Sequence, residues 1–422
     1  MEYGCIGKKL THSFSKTVHG KLADYPYELR EVPEEELDGF LRRADFKAIN
    51  VTIPYKEAVI PYLAEISDTA RQIGAVNTIV NRDGRLYGYN TDLAGMTALL
   101  RRQGVSLQGK KVLVTGSGGT SKTAVATARA MGAAQVVRLS RTAREDAVTY
   151  AAAPALHGDA EALINTTPCG MYPHLGGMAV SLDDYPALTS VTDAVYNPLC
   201  PALVVEARRR GLNASGGLYM LVAQAAYAVE KFTGTPVCEA EIEAVYAAIE
   251  AEKRNLVLSG MPGCGKTTLG KGAAKRLGKT FVDTDEEIRR QTGKAPADLI
   301  TEMGEPAFRQ IETQVIARLA AEQSSVIATG GGAVLNPENL RLLRENGTLV
   351  FIDRPVDKLA VTADRPLSAT RELLAQRYRE RYPLYRAAAD EILPAVDSRE
   401  DNVRRLAEIF RQAGDKGKEQ TV

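Results

Sequence analysis

One stretch of this 422-residue chain carries a lysine, a threonine and three glycines at a spacing that handles phosphate. Gly260-Met-Pro-Gly263-Cys-Gly265-Lys266-Thr267-Thr268 follows an apolar run, Leu256 to Leu258, and precedes a helical pattern from Thr268 to Leu277. This is the strand–loop–helix setting of a P-loop. Glycines allow backbone N–H groups to turn toward an anion, and the helix start adds positive charge. Lys266 can reach the outer phosphates, and the Thr267 hydroxyl can hold Mg2+. The expected ligand is a nucleoside triphosphate, with Gly260, Gly263, Gly265, Lys266, Thr267 and Thr268 around it.

Downstream, the run Thr280-Phe-Val-Asp283-Thr-Asp285 reads as a strand ending in two acids. Asp283 can support Mg2+ through water, and Asp285 can accept a proton from a substrate hydroxyl. The same acids would also serve as the cap of a helix from Glu286. Further on lie Phe308-Arg309-Gln-Ile-Glu312 on a helical pattern and Gly330-Gly331-Gly332 after the strand Val326 to Ala328. Arg365 falls in Asp364-Arg365-Pro366-Leu367, a loop suited to a lid. Arg377 to Tyr385 is a basic, tyrosine-interleaved stretch whose acids point to a local anion site and not to nucleic acid.

The first half offers polar residues at strand ends. Ser13 and Ser15 flank Phe14, and read alone they fit either a ligand or an N-cap. Asn50 and Thr52 lead into Pro54 and Lys56; Asn77 and Asp92 close two more short runs, where such residues are commonly turn formers. Gln224 sits in a largely apolar helix and needs a partner, whether ligand or backbone. The strand Lys111 to Thr115 runs into Gly116-Ser-Gly118-Gly119-Thr-Ser121, a G-x-G-G variant of the dinucleotide fingerprint. The next strand ends in Ser140-Arg141-Thr142, with Arg144 close behind. A free ribose 2′-hydroxyl would call for Asp or Glu there, whereas Arg141 suits a 2′-phosphate, so NADP is preferred over NAD.

As for the elements that must hold these residues, short apolar runs alternate with helical patterns over residues 1–100, and strand–loop–helix units follow at the two glycine loops, the mark of an α/β fold. The length exceeds one core and predicts two or three domains. With 53 basic and 52 acidic residues the formal net charge is +1, which predicts no nucleic-acid or membrane-surface partner. The five cysteines are scattered without C-x-x-C pairs, which fits reduced thiols; with no signal-peptide pattern at Met1 and no membrane-length apolar run, a cytoplasmic location is expected. Glu239 to Arg254 is a charged helical run ending abruptly before the P-loop strand, placing a boundary near residue 252. The polar tail from Ala413 is expected to be disordered.

Taken in order, H-S-x-S…H, N-V-T-x-P-x-K, G-A-V-N-T, N-T-D, V-x-G-x-G-G, N-x-T-P-x-G-M and G-x-x-M-L-V-x-Q-A span positions 12 to 225 and resemble shikimate dehydrogenase. That resemblance implies a substrate part of about 1–100 and 215–250 and a Rossmann NADP-binding part of about 101–214. It also implies Ser13, Ser15, Asn50, Thr52, Asn77 and Gln224 around 3-dehydroshikimate or shikimate, and Lys56 with Asp92 as the catalytic pair. Gly116, Gly118, Gly119, Ser140, Arg141 and Thr142 would hold NADP. Lys16 stands where the family usually has Pro, Ser140 replaces Asn in N-R-T, and the stretch from Thr142 to Asn165 is short.

The P-loop, D-x-D, F-R-x-x-E, G-G-G, R-P-L and R-x-P-L-Y resemble shikimate kinase over about 253–410. This implies a P-loop domain with a parallel sheet, related to nucleoside-monophosphate kinases, over 253–422. Asp285, Arg309, Gly331, Gly332 and Arg381 would hold shikimate, and Lys266, Arg365 and Asp285 would be catalytic. Thr267 and Asp283 would support Mg2+, and ATP would be the donor. The segment before Arg365 is abbreviated. The resemblances together imply a bifunctional enzyme, monomeric or homodimeric, that makes shikimate and then phosphorylates it. A quinate-using dehydrogenase is the enzyme rival. An inactive metabolite sensor is the other, disfavoured because Lys56, Asp92, Lys266 and Asp285 are all present.

Overall fold

The structure is a computed structural model and describes residues 1–10, 14–359 and 370–415. Ser13 and Arg365, both expected in the sites, lie outside the described residues. The chain divides into two compact units. The first comprises Met1–Met171, Gly177–Asn197 and Glu206–Ile249; the second runs from Glu250 onward and takes in Tyr172–Gly176 and Pro198–Val205.

In the first unit, β1 (Tyr3–Gly7), β2 (Tyr27–Glu31), β3 (Ala48–Val51), β4 (Glu65–Ile66), β5 (Thr78–Arg82) and β6 (Arg85–Tyr89) form a sheet in the order β2-β1-β3-β5-β6-β4. The sheet is mixed, because β5 runs antiparallel to both its neighbours. Asp83-Gly84 supplies the two positive φ angles, 51° and 82°, of a tight hairpin between β5 and β6. Register then does the positioning: Asn50 faces Thr78 on β5, and Thr78 faces Tyr89 on β6. Three chain segments distant in sequence thus end at one sheet edge, where Asn50, Asn77 and Asp92 are found.

A second sheet follows, made of β7 (Lys111–Thr115), β8 (Gln135–Ser140), β9 (Val148–Thr149), β10 (Ala162–Asn165), β11 (Ser190–Asp193) and β12 (Asn213–Ser215). All pairs are parallel and the order is β12-β11-β10-β7-β8-β9. In chain order this is the doubly wound arrangement, whose switch point lies between the first strand, β7, and the fourth, β10. The short Thr142–Asn165 stretch has a structural counterpart: among the described residues no helix lies between β8 and β9. Helix Leu218–Thr233 returns to pack on helix Asp92–Arg102, where a Cβ on Gly95 would come within 2.8 Å of Met220 O and Gln224 Cβ. Only glycine permits that approach.

The second unit is built on β13 (Asn255–Ser259), β14 (Thr280–Asp283), β15 (Ser325–Ala328), β16 (Gly347–Asp353) and β17 (Glu391–Pro394), all parallel, in the order β14-β15-β13-β16-β17. The central strand β13 is wholly buried, as its uninterrupted apolar run requires. Helix Lys266–Leu277 begins immediately after the glycine loop. The basic stretch from Arg377 lies inside helix Arg371–Ala388, with Pro383 in its interior. At the C-terminus, helix Arg399–Asp415 continues past Ala413, where composition led us to expect a disordered tail. Among the described residues no helix is long and apolar enough to cross a membrane.

Candidate active sites

In the first unit the chain leaving β3 turns through Thr52 to Lys56. Thr52 N–H donates to Ile6 O at 2.9 Å, and the Tyr55 hydroxyl donates to Val32 O at 2.6 Å, pinning the turn at both ends. Lys56 emerges beside the first turn of helix Asp92–Arg102. Its ammonium donates to Asp92 Oδ2 at 2.5 Å, and both side chains are largely buried, 19% and 12% exposed. Asp92 Oδ1 accepts from Asn77 Nδ2 at 2.9 Å, while Asn77 Oδ1 accepts from Thr91 N–H at 2.8 Å. At the helix N-terminus the carboxylate also meets the positive end of the dipole. The result is a fixed ammonium with a fixed counter-ion, a proton donor that need not search for its position.

Asn50 lies at the same edge, its Nδ2 donating to Thr78 Oγ1 at 3.2 Å. Gln224 Nε2 donates to Leu221 O at 2.9 Å, from the helix packed on the one that carries Asp92. Ser15 is the first residue of helix Ser15–Leu22, and Phe14 occupies the N-cap position without a side-chain cap bond, so a Ser15 cap is not what the structure shows. The Phe14 ring sits 5.3 Å from that of Tyr196, which brings Tyr196 to this site. Sequence reading assigned Tyr196 no role; its place after a strand end, in Tyr196-Asn-Pro, was the available signal.

At the switch point, Gly118 is the N-cap of helix Gly119–Ala130, and a Cβ on Gly118 or Gly119 would meet no described atom within 4 Å. Open space before a 12-residue helix start fits a dinucleotide pyrophosphate. Ser121, in place of the usual third small residue, is fully buried and donates to Gly118 O at 2.8 Å. The Ser140 hydroxyl donates to Thr142 O and closes the turn that carries exposed Arg141. Arg138 is paired with Asp146, so the exposed Arg141 is the better placed of the two for a 2′-phosphate.

Asn165 and Asp193 are the last residues of β10 and β11, and both are buried. Asn165 Oδ1 accepts from the hydroxyls of Thr115 at 2.6 Å and Thr167 at 2.8 Å, while its Nδ2 donates to Asp193 Oδ1 at 2.9 Å. Burial pushes the Asp193 carboxyl up to about 7, against the hydrogen bonds from Val195 N–H and Asn165.

In the second unit Lys266 folds over its own loop, donating to Gly260 O at 2.8 Å and Met261 O at 3.1 Å. Thr268 follows on the same helix. The Thr267 hydroxyl donates to Asp283 Oδ2 at 2.8 Å, and Asp283 Oδ1 accepts from Asp285 N–H at 3.1 Å. Asp283 is therefore both the cap of helix Thr284–Thr292, which starts two residues before Glu286, and the partner of Thr267. A hydroxyl beside a carboxylate is the hard-oxygen set that suits Mg2+ completed by phosphate and water.

Around Gly330–Gly332 the expected acceptor-binding residues come together. A Cβ on Gly330 would lie 2.8 Å from Asp285 Oδ1 and 3.0 Å from Glu312 Oε1, and one on Gly332 would collide with the Arg309 guanidinium. Arg381 donates to Gly331 O at 3.0 Å, and the Tyr385 hydroxyl donates to the same oxygen. Arg309 donates to Glu312 Oε2 at 2.8 Å and to Glu305 Oε1 at 2.6 Å. Glu312 is fully buried, and that burial raises its carboxyl above the ordinary value against the pull of Arg309. It holds Arg309 in place. Its signal in sequence was only a glutamate one helical turn after the arginine.

The family model for the shikimate dehydrogenase substrate binding domain matches residues 5–79, and that for shikimate kinase matches residues 262–413. A shikimate dehydrogenase (NADP(+)) from Clostridium perfringens is 37% identical over 267 residues, covering 59% of this chain and 98% of the relative. Among solved structures, a chorismate mutase/shikimate 5-dehydrogenase fusion protein from Clostridium acetobutylicum matches at TM-score 0.56 and 32% identity, covering 59% of this chain and 96% of that one. Shikimate 5-dehydrogenase from Thermus thermophilus, in complex with NADP(H) and shikimate, matches at TM-score 0.53 and 29% identity, with 59% and 99% covered. Fold and sites define a two-part α/β enzyme, a Rossmann oxidoreductase followed by a P-loop phosphotransferase. The chain belongs to the shikimate dehydrogenase family, joined in this sequence to a shikimate kinase domain.

Proposed function

We propose that residues 1–252 catalyse NADPH-dependent reduction of 3-dehydroshikimate to shikimate, and that residues 253–422 transfer phosphoryl from ATP, with Mg2+, to the shikimate 3-hydroxyl. The observation that carries this reading is the coexistence in one chain of the Lys56–Asp92 pair and the Lys266 P-loop with Asp285 and two arginines. NADPH, when bound, supplies a hydride to the ketone carbon. Lys56 then delivers a proton to the oxygen that becomes the hydroxyl, and Asp92 keeps the ammonium aimed. Ser13, Ser15, Asn50, Thr52, Asn77 and Gln224 orient the ring hydroxyls and carboxylate. Gly118 and Gly119 leave room for the pyrophosphate and Gly116, at φ 109°, makes the turn into their loop, while Ser140, Arg141 and Thr142 meet the 2′-phosphate.

In the second step Arg309 and Arg381 take the acceptor carboxylate, next to Gly331 and Gly332, and Asp285 orients the attacking hydroxyl. Lys266 exchanges its bonds to the loop carbonyls for the transferring phosphoryl, with Arg365 assigned the same charge. Thr267 and Asp283 support the Mg2+. The partners are small molecules; a cytoplasmic monomer or homodimer, without nucleic acid or membrane, completes the reading.

One cuvette tests it. With 3-dehydroshikimate, NADPH, ATP and Mg2+, NADPH oxidation should be matched by stoichiometric ADP. NADPH oxidation without ADP refutes the kinase half, and ADP formed only on added shikimate, with no NADPH consumed, refutes the dehydrogenase half.

A further inference from the structure

Behind Asn50 lies a buried aromatic layer with no part in the chemistry above. Tyr27 is 4% and His19 1% exposed, and their rings stack at 3.8 Å with an angle of 12°. The Tyr27 hydroxyl donates to Asn50 Oδ1 at 2.7 Å. On its other side the Asn50 amide donates to the main-chain carbonyl of Asn77 at 3.3 Å and to Thr78 Oγ1. A carbonyl can only accept, so the NH2 must face Asn77, and Oδ1 must face Tyr27. The phenol therefore has one available role, that of donor.

We propose that Tyr27, backed by His19, is a positioning residue for the dehydrogenase: it fixes the orientation of the Asn50 amide at the substrate site. This rests on the assignment of Asn50 to the substrate site. Burial supports the arrangement by keeping both partners uncharged. It holds His19 down at about 3, against a hydrogen bond with Asn50, and pushes the Tyr27 phenol up, with Cys5 and Tyr25 adding to the shift. The His19 ring is itself held by Tyr25, whose hydroxyl lies 2.9 Å from Nδ1. Without the Tyr27 hydroxyl, Oδ1 loses its inner partner, and the amide is free to tilt away from the ligand.

Tyr27→Phe keeps the ring and its stack, so the layer stays filled. The test is a double-mutant cycle in the full chain with Asn50→Ala. Tyr27→Phe should raise the dehydrogenase KM for shikimate about tenfold, with kcat and the KM for NADP changed less than about twofold, and should add nothing on top of Asn50→Ala. Thermal inactivation of the dehydrogenase activity in the same chains controls for folding. An unchanged KM, equal losses in kcat and in the KM for NADP, or a full extra effect in the Asn50→Ala background overturns the proposal. If Asn50→Ala itself leaves the KM for shikimate unchanged, the placement of Asn50 in the substrate site is what fails, and Tyr27 falls with it.

Discussion

The two phosphate-binding loops solve one problem with glycines of different kinds. In the dinucleotide loop Gly118 has φ −87°, a backbone open to any residue, and neither it nor Gly119 would place a Cβ against a described atom within 4 Å. In the triphosphate loop Gly260 and Gly265 hold φ of 145° and 102°, and a Cβ on Gly260 would approach Cys264 Sγ at 2.9 Å and Ile352 O at 3.0 Å. Gly118 and Gly119 keep space for a ligand; Gly260 and Gly265, like Gly116 at the start of the dinucleotide loop (φ 109°), are required by the folded loop itself. The lysines differ in the same sense. Lys56 is held by the Asp92 carboxylate, whereas Lys266 is held by two carbonyls of its own loop, which a phosphate can replace.

The largest effects should separate the two halves. Lys56→Ala is expected to lower dehydrogenase kcat by about 10²- to 10⁴-fold, the range for a lost proton donor, and leave the kinase intact. Lys266→Ala should cost the kinase about 10³-fold or more and leave the dehydrogenase intact. Separate NADPH and ADP assays on the full chain read both. A substitution that lowered both activities would break the view of two self-sufficient sites.

The glycines give the next contrast. Gly265→Ala should strain the kinase loop by roughly 1–3 kcal/mol and lower the unfolding temperature of that unit as well as ATP binding. Gly118→Ala should leave thermal unfolding unchanged and raise the KM for NADPH about tenfold. Equal losses of stability in the two variants would erase the distinction.

A smaller effect belongs to the acceptor site. Arg309→Lys keeps the charge but loses the planar fork that Glu312 and Glu305 orient, so the kinase KM for shikimate should rise about tenfold with kcat little changed. An unchanged KM would remove Arg309 from the carboxylate site.

Much of this was legible in sequence because glycine spacing and strand-end polarity report local backbone needs. The P-loop and the three dinucleotide-loop glycines follow from motifs, and the Lys56–Asp92 pair from the family resemblance. What escaped were residues whose role depends on register and burial. Asp193 and Asn165 look like turn formers until β10 and β11 are laid side by side, which pairs them directly. Tyr27 acts across 23 residues of sequence on Asn50, and no local pattern encodes that reach. Ser15 was open to reading as a cap, yet Phe14 holds the cap position because the helix begins at Ser15 itself, one residue earlier than a Ser15 cap would need.

Asp193 gives the smallest and most specific test, at the end of β11, two strands away from the dinucleotide loop. Its carboxyl is fully buried; Oδ1 accepts from Asn165 and Val195 N–H, and Oδ2 has no hydrogen-bond partner among the described residues. Burial raises it from 3.8 to about 7, so between those values the folded state binds a proton that the unfolded chain does not. The stability this confers is fully present below about pH 4 and is lost as pH rises through about 7. Asp193→Asn carries a neutral group at every pH. Relative to the parent chain it should therefore gain in the half-inactivation temperature of the dehydrogenase between about pH 5 and pH 8, by roughly 2–4 °C for each kcal/mol of charge burial relieved. A difference that stays flat with pH would mean that Asp193 is ionised in the fold, and that the strand ends at the switch point are held by a buried charge after all.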